Sequence, residues 1–236
     1  MLFDLRGRGR RRTVQAIYLS LAILMGGGLV LFGIGSDQSG GLFDAISGDG
    51  SGDSATESID RRIETQLART RADPKDPGAW AQLAILRYQR AGIDGIAQDG
   101  TYTDEGKRRL RLAATAWERH LALEPPRPDT RAANLMVQAY GAGALNELKK
   151  AVQAKQVVIE AERPPNSNLF AQLAVLAYQA GETRTGDLAA GRAVDLAPKS
   201  DRKALRTQLD VLKRQAASDA AQQAATAAAG SSGATG

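Results

Sequence analysis

Trp80-Ala81-Gln82-Leu83-Ala84-Ile85-Leu86-Arg87-Tyr88-Gln89 returns ninety residues later as Phe170-Ala171-Gln172-Leu173-Ala174-Val175-Leu176-Ala177-Tyr178-Gln179, and this recurrence decides the fold. Seven of the nine positions after the leading aromatic are identical. The apolar positions recur three and four apart and do not alternate, so each block predicts a helix. Between them, Ala132 to Tyr140 keeps the leucine and tyrosine spacing but has lost the leading aromatic. A turn rich in proline and polar residues precedes each block: Pro74 to Pro77, Pro125 to Asp129, and Pro164 to Asn166. A glycine follows each block, Gly92, Gly143 or Gly181, and glycine is suited to ending a helix.

Outward from the repeats the pattern stays helical. Ile59, Ile63 and Leu67 predict a first helix ending before Asp73-Pro74. Leu205, Leu209 and Leu212 predict a last one, beginning after Pro198 with Ser200 or Asp201 as N-cap. No alternating β-branched run of strand length occurs, so residues 57–215 read as an all-α domain. Residues 216–236 are rich in alanine, then glycine and serine. The alanines are expected to prolong the last helix as far as Ala229, with a low-complexity tail from Gly230.

This pattern resembles the tetratricopeptide repeat family, in which a large residue is followed by leucine and a small residue, an aromatic, a glycine, then a second helix closing on proline. Phe170, Leu173, Ala174, Tyr178, Gly181, Gly186, Ala190, Ala193, Leu196 and Pro198 follow it without gaps. The resemblance implies about three helical hairpins and a capping helix. It also implies a concave surface, lined by the first helices, that holds a partner. By spacing the lining would be Ala81, Ile85, Tyr88 and Gln89, then Ala133, Val137 and Tyr140, then Ala171, Val175, Tyr178 and Gln179. The cationic and asparagine positions that clamp a terminal carboxylate in some members are not matched, so the occupant expected is an apolar or amphipathic protein segment. Alternatively, the same tyrosines pack against the terminal helix around Leu205, Leu209 and Leu212 and fill the groove from within.

One departure stands out. Phe170 to Pro198 is a step of 28 residues, whereas Trp80 to Pro125 is 45, an excess of 17. The extra residues lie around Ile93 to Asp104, between two predicted helices, as a surface loop that is either neutral, in contact with a partner or capping the groove. Asp94, Asp99, Asp104 and Glu105 do not have the spacing of an EF-hand calcium loop.

The N-terminal quarter is built differently. Residues 1–12 hold five arginines against Asp4; without them the net charge falls from +5 to +1. The basic character belongs to this tip and gives no ground for nucleic-acid binding by the rest. Thr13 to Ile34 then runs twenty-two residues without a charge. At about 1.5 Å per residue that is roughly 33 Å, enough to span a bilayer core. Arginines before it, and only acidic charges from Gly35 to Asp60, place the N-terminus in the cytoplasm and the remainder across the plasma (inner) membrane. The competing reading, a cleaved signal peptide, fits less well: the run exceeds a signal h-region and no small-x-small cleavage site follows. Residues 35–56, rich in Gly, Ser and Asp, read as a flexible linker, with Leu42, Phe43 and Ile46 as a short apolar island.

There is no cysteine, which excludes disulfides, thiolate metal sites and cysteine nucleophiles. The single histidine, His120, lies beside Trp117 and reads as a packed or surface side chain, not a general base. No phosphate-binding loop, zincin motif or nucleophile elbow occurs. No catalytic, cofactor or metal site is therefore expected. The functional expectation is a single-pass membrane scaffold or adaptor for exported or envelope proteins. The alternatives are a structural subunit of an obligate membrane complex and an accessory module of a cell-wall or cytochrome-maturation enzyme.

Overall fold

The computed structural model describes residues 52–232, and within them the chain forms eight α-helices. In chain order they are α1 (Gly52–Ala72), α2 (Pro77–Asp94), α3 (Asp104–Ala122), α4 (Thr130–Ala139), α5 (Leu148–Ala161), α6 (Ser167–Gln179), α7 (Thr183–Leu196) and α8 (Arg202–Ser232). No strand occurs among the described residues; the sole β feature is an isolated bridge between Ile96 and Tyr102. The domain is all-α.

The prolines and polar residues of the three turns account for where the helices begin. Asp76 caps α2, its carboxylate accepting from the Gly78 and Ala79 amides at 2.8 and 3.2 Å, with Pro77 at the first helical position. Asp129 accepts from the Ala132 amide at 2.8 Å, and Asn166 from the Asn168 amide at 2.8 Å. Each such cap satisfies an amide that the helix itself cannot, a contribution of about 1 kcal/mol. Gly181, at φ 74°, ends α6 in the left-handed region where glycine alone is unstrained. Gly92 does not end α2, which continues through Asp94. At the other end of the domain, α1 begins at Gly52, within the stretch read as linker, and α8 runs to Ser232.

The helices pack in chain order. α2 pairs with α3, α4 with α5, and α6 with α7; α4 also lies against α2 and α3, α6 against α5, and α8 against both α6 and α7. Small residues carry these contacts: Ala84, Ala113, Ala116, Ala132, Ala133 and Ala174 are fully buried, which lets the helix backbones approach. Two apolar clusters result. The first holds Leu83, Ile85, Leu110, Trp117, Met136 and Tyr140, with Ile63 and Leu67 of α1 packed on it. The second holds Leu173, Tyr178, Val194 and Leu209, flanked by Phe170 and Leu205.

The residues inserted between α2 and α3 are ordered. Gly95 and Gly106 meet backbone to backbone: a Cβ on Gly106 would lie 2.1 Å from the Gly95 carbonyl oxygen. Beyond this crossing the Ala97 amide donates to the Thr101 carbonyl at 2.8 Å and the Thr103 amide to the Gly95 carbonyl at 2.9 Å. Asp99 accepts from both the amide and the hydroxyl of Thr101, and Gly100 takes φ 81° to close the turn. A line of alternating charges clamps the base. Asp60 of α1 pairs with Arg90, Arg90 with Asp94, Asp94 with Arg109, and Arg109 with Glu105. The two arginines are the more buried members, and their guanidinium groups hold the Asp94 carboxyl below its ordinary pKa despite its partial burial.

The apolar run Thr13 to Ile34 lies outside the described residues. Among the described residues no helix is long and apolar enough to cross a membrane.

Candidate functional site

The first-helix residues that the repeat spacing singles out do not share one environment. Ala81, Ile85 and Ala133 are buried in the first cluster, facing other helices. Tyr140 is buried with them, beneath the Lys150 ammonium at 5.6 Å, its hydroxyl 3.4 Å from Glu118 Oε1. Burial, then the nearby carboxylates of Glu118 and Glu147, push its pKa up. Tyr178 is buried against Gly186 of α7, where a Cβ would come within 2.4 Å of the ring. Its hydroxyl donates to Asp187 Oδ1 at 3.0 Å, and Lys213 of α8 holds the same carboxylate at 2.7 Å while lying 5.8 Å from the ring centre. Burial and then the Asp187 contact push the Tyr178 pKa up to about 12. The terminal helix therefore covers the third first helix at its tyrosine.

Tyr88 stands apart from the other two. It is half-buried on α2, and its hydroxyl donates to Gln138 Oε1 of α4 at 2.8 Å. Tyr102, carried in by the ordered insertion, packs against the same cluster, and its hydroxyl adds to burial in raising the Tyr88 pKa. Val137 is half-buried beside this group; Gln89 is half-buried and Gln138 exposed. On the third pair, Ala171 and Val175 are half-buried and Gln179 is exposed. The accessible remainder of the lining is thus Tyr88, Gln89 and Val137 at one end and Ala171, Val175 and Gln179 at the other.

Sequence reasoning missed Tyr102 and Gln138 because both depend on how α4 and the insertion meet α2. It also missed Lys155, which is buried on α5 and donates to Gln172 Oε1 of α6 at 2.6 Å. No carboxylate faces it, and desolvation lowers its pKa. A signal existed: Lys155 falls on the apolar stripe of Val152, Val158 and Ile159. A separate cleft of about 260 Å³ opens between α3 and α5, lined by Trp117, Glu118, Leu121, Tyr140, Lys150 and Gln153, with Glu118 and Lys150 paired at 2.8 Å on its rim.

His120 is structural in its contacts. It is buried, stacked on Trp117 at 5.1 Å between ring centres, with Nδ1 2.8 Å from the Pro77 carbonyl and Nε2 accepting from the Asp129 amide at 3.1 Å. Both ring nitrogens are thereby occupied, so neither is presented to a substrate. Among the described residues no group of three His, Cys, Asp or Glu side chains is placed to hold a metal ion. Comparison with family models, curated proteins and solved structures finds no match.

Proposed function

We propose that the chain is a membrane-anchored scaffold or adaptor, a tetratricopeptide-like stack of helical hairpins that binds a protein segment on the extracytoplasmic face. One observation carries the reading: the two copies of the recurring block form α2 and α6, the first helices of successive pairs that pack in chain order before a closing helix. Such a stack presents the first helices along one side, and its accessible residues here are amphipathic. Tyr88, Val137 and Val175 supply apolar contact and Gln89 and Gln179 supply polar contact. Thr13 to Ile34, with arginines before it and acids after it, supports the anchor and its orientation.

Because the chain lacks cysteine, Gln89→Cys and Gln179→Cys each create a unique crosslinking position in the full-length protein in its own membrane. Both are expected to capture the same protein, with no capture from Glu160→Cys on the exposed side of α5. Capture from Glu160→Cys alone, or different partners from the two first-helix positions, would refute the groove. One stoichiometric partner would favour an obligate subunit, and a wall or cytochrome-maturation enzyme an accessory module. A C-terminal reporter active only in the cytoplasm would overturn the orientation.

A further inference from the structure

Among the described residues, the two most exposed large aliphatic side chains are Leu188, at 69%, and Leu112, at 51%. Both sit on the second helix of a pair, on the face opposite its buried residues. On α3 the buried stripe is Leu110, Ala113 and Trp117; the opposite stripe reads Arg108, Arg111, Leu112, Thr115 and Arg119. On α7 the buried stripe is Gly186, Ala189 and Ala193; the opposite one holds Arg184, Leu188 and Arg192. Arg111, Arg119, Arg184 and Arg192 form no ion pair among the described residues, whereas most charges elsewhere in the domain that face one another are paired. The same device thus occurs twice. An exposed leucine stands one turn from exposed arginines, on helices remote in sequence.

We infer that this second-helix face rests on an anionic lipid surface, the leucines entering the interface and the arginines meeting headgroup phosphates. Basic residues flanking an exposed aliphatic side chain are what an interfacial contact requires, because the leucine alone binds too weakly and the charge alone lacks depth. The inference rests on the proposed anchor, which supplies the occupant. Seventeen residues, 35–51, read as the tether; a flexible chain of that length has a root-mean-square span of about 20–25 Å, which keeps the helical unit close to the bilayer. The tether itself carries only acidic charge, so it is repelled by such a surface while α3 and α7 are attracted.

The full chain, with Leu112→Cys or Leu188→Cys as its sole cysteine carrying a polarity-sensitive dye, is reconstituted with vesicles of phosphatidylcholine alone or of an equimolar mixture with phosphatidylglycerol. The expected result is a blue shift of emission at both positions in the mixed vesicles only. Charge reversal at Arg111→Glu with Arg119→Glu should abolish the shift at Cys-labelled position 112 while helicity by circular dichroism is unchanged. Co-flotation with both vesicle types but equal emission in both would overturn the lipid contact and leave the anchor standing. Flotation with the anionic vesicles only, with the blue shift, would support the contact and sink the anchor; flotation with neither would sink both. A blue shift already present in detergent would overturn the contact by showing the face covered by protein, either the chain's own acidic segment or another copy.

Discussion

His120 joins three parts of the domain, and its removal should be felt in all of them. The imidazole is 3% exposed. Its Nδ1–H donates to the Pro77 carbonyl at the start of α2, and its Nε2 accepts from the amide of Asp129, the residue that caps α4. His120→Ala leaves that carbonyl and that amide without partners in a buried place, a loss of about 1–3 kcal/mol for each group that water cannot reach. The stacking on Trp117 adds about 0.5–1.5 kcal/mol, and the space vacated adds a packing loss. Some of these overlap, so a net destabilisation of about 3–5 kcal/mol is expected, a large share of the stability of a typical domain. Two further variants separate the contributions. His120→Asn places an amide donor near the Nδ1 position and should recover the Pro77 contact; His120→Gln reaches further and should recover the Asp129 contact. The assay is urea unfolding of the full chain followed by circular dichroism, with the midpoint read against an unchanged slope. A cost below about 1 kcal/mol for His120→Ala would refute the view that these two backbone groups depend on the ring. Equal costs for all three variants would instead attribute the effect to ring shape alone.

Lys155→Met should raise stability at neutral pH by about 1 kcal/mol, since it removes a buried ammonium whose one partner is the neutral Gln172. Burial lowers the Lys155 pKa, so the unfolded chain binds more protons between the lowered value and the ordinary one near 10.4. Wild-type stability should therefore rise with pH across that window, and urea midpoints of Lys155→Met should lack this contribution. Gly186→Ala drives a methyl group into the Tyr178 ring and should cost about 1–3 kcal/mol, with part of the loss recovered when Tyr178→Leu is combined with it. Non-recovery in the double variant's thermal unfolding would show that something other than the ring sets the limit. Gly106→Ala meets the Gly95 carbonyl, which is backbone and cannot step aside, so it should lower the urea midpoint by about 3 kcal/mol or more. Gly191→Ala, at an exposed helical position with nothing within 4 Å, should instead stabilise by about 0.5–1 kcal/mol.

Much of the local architecture was legible because helix boundaries are written in short-range chemistry. Asp76, Asp129 and Asn166 each stand just before an apolar run and each accepts amides of the first turn, as the proline-polar turns imply. The recurrence of Ala81 to Gln89 at Ala171 to Gln179 likewise marked two helices of the same kind. Gly92 misled for a physical reason: glycine permits a helix end without enforcing one, and the bonds of α2 persist to Asp94. Asp99-Gly100 announced a turn inside the insertion. Nothing local announced that Gly95 and Gly106 would touch, or that Asp60, Arg90, Asp94 and Arg109 from three helices would link into one chain of charge.

The same distinction governs the candidate groove. Spacing along one helix assigns residues to a face, but a partner meets only what neighbouring helices leave open. Tyr88, Tyr140 and Tyr178 occupy matching positions in their blocks, yet Tyr140 lies in the interior and Tyr178 lies between α6, α7 and α8. Tyr88 alone stays partly accessible, and there the insertion brings Tyr102 beside it and α4 brings Gln138. The regular repeat therefore builds the scaffold, while its departures select the surface: the extra residues between α2 and α3 shape one end, and the closing helix with Lys213 shapes the other. Recognition by this domain accordingly depends more on the irregular elements than on the repeated tyrosines. A partner selected by the insertion should be lost when residues 96–102 are shortened to a tight turn, even though the buried tyrosines are untouched.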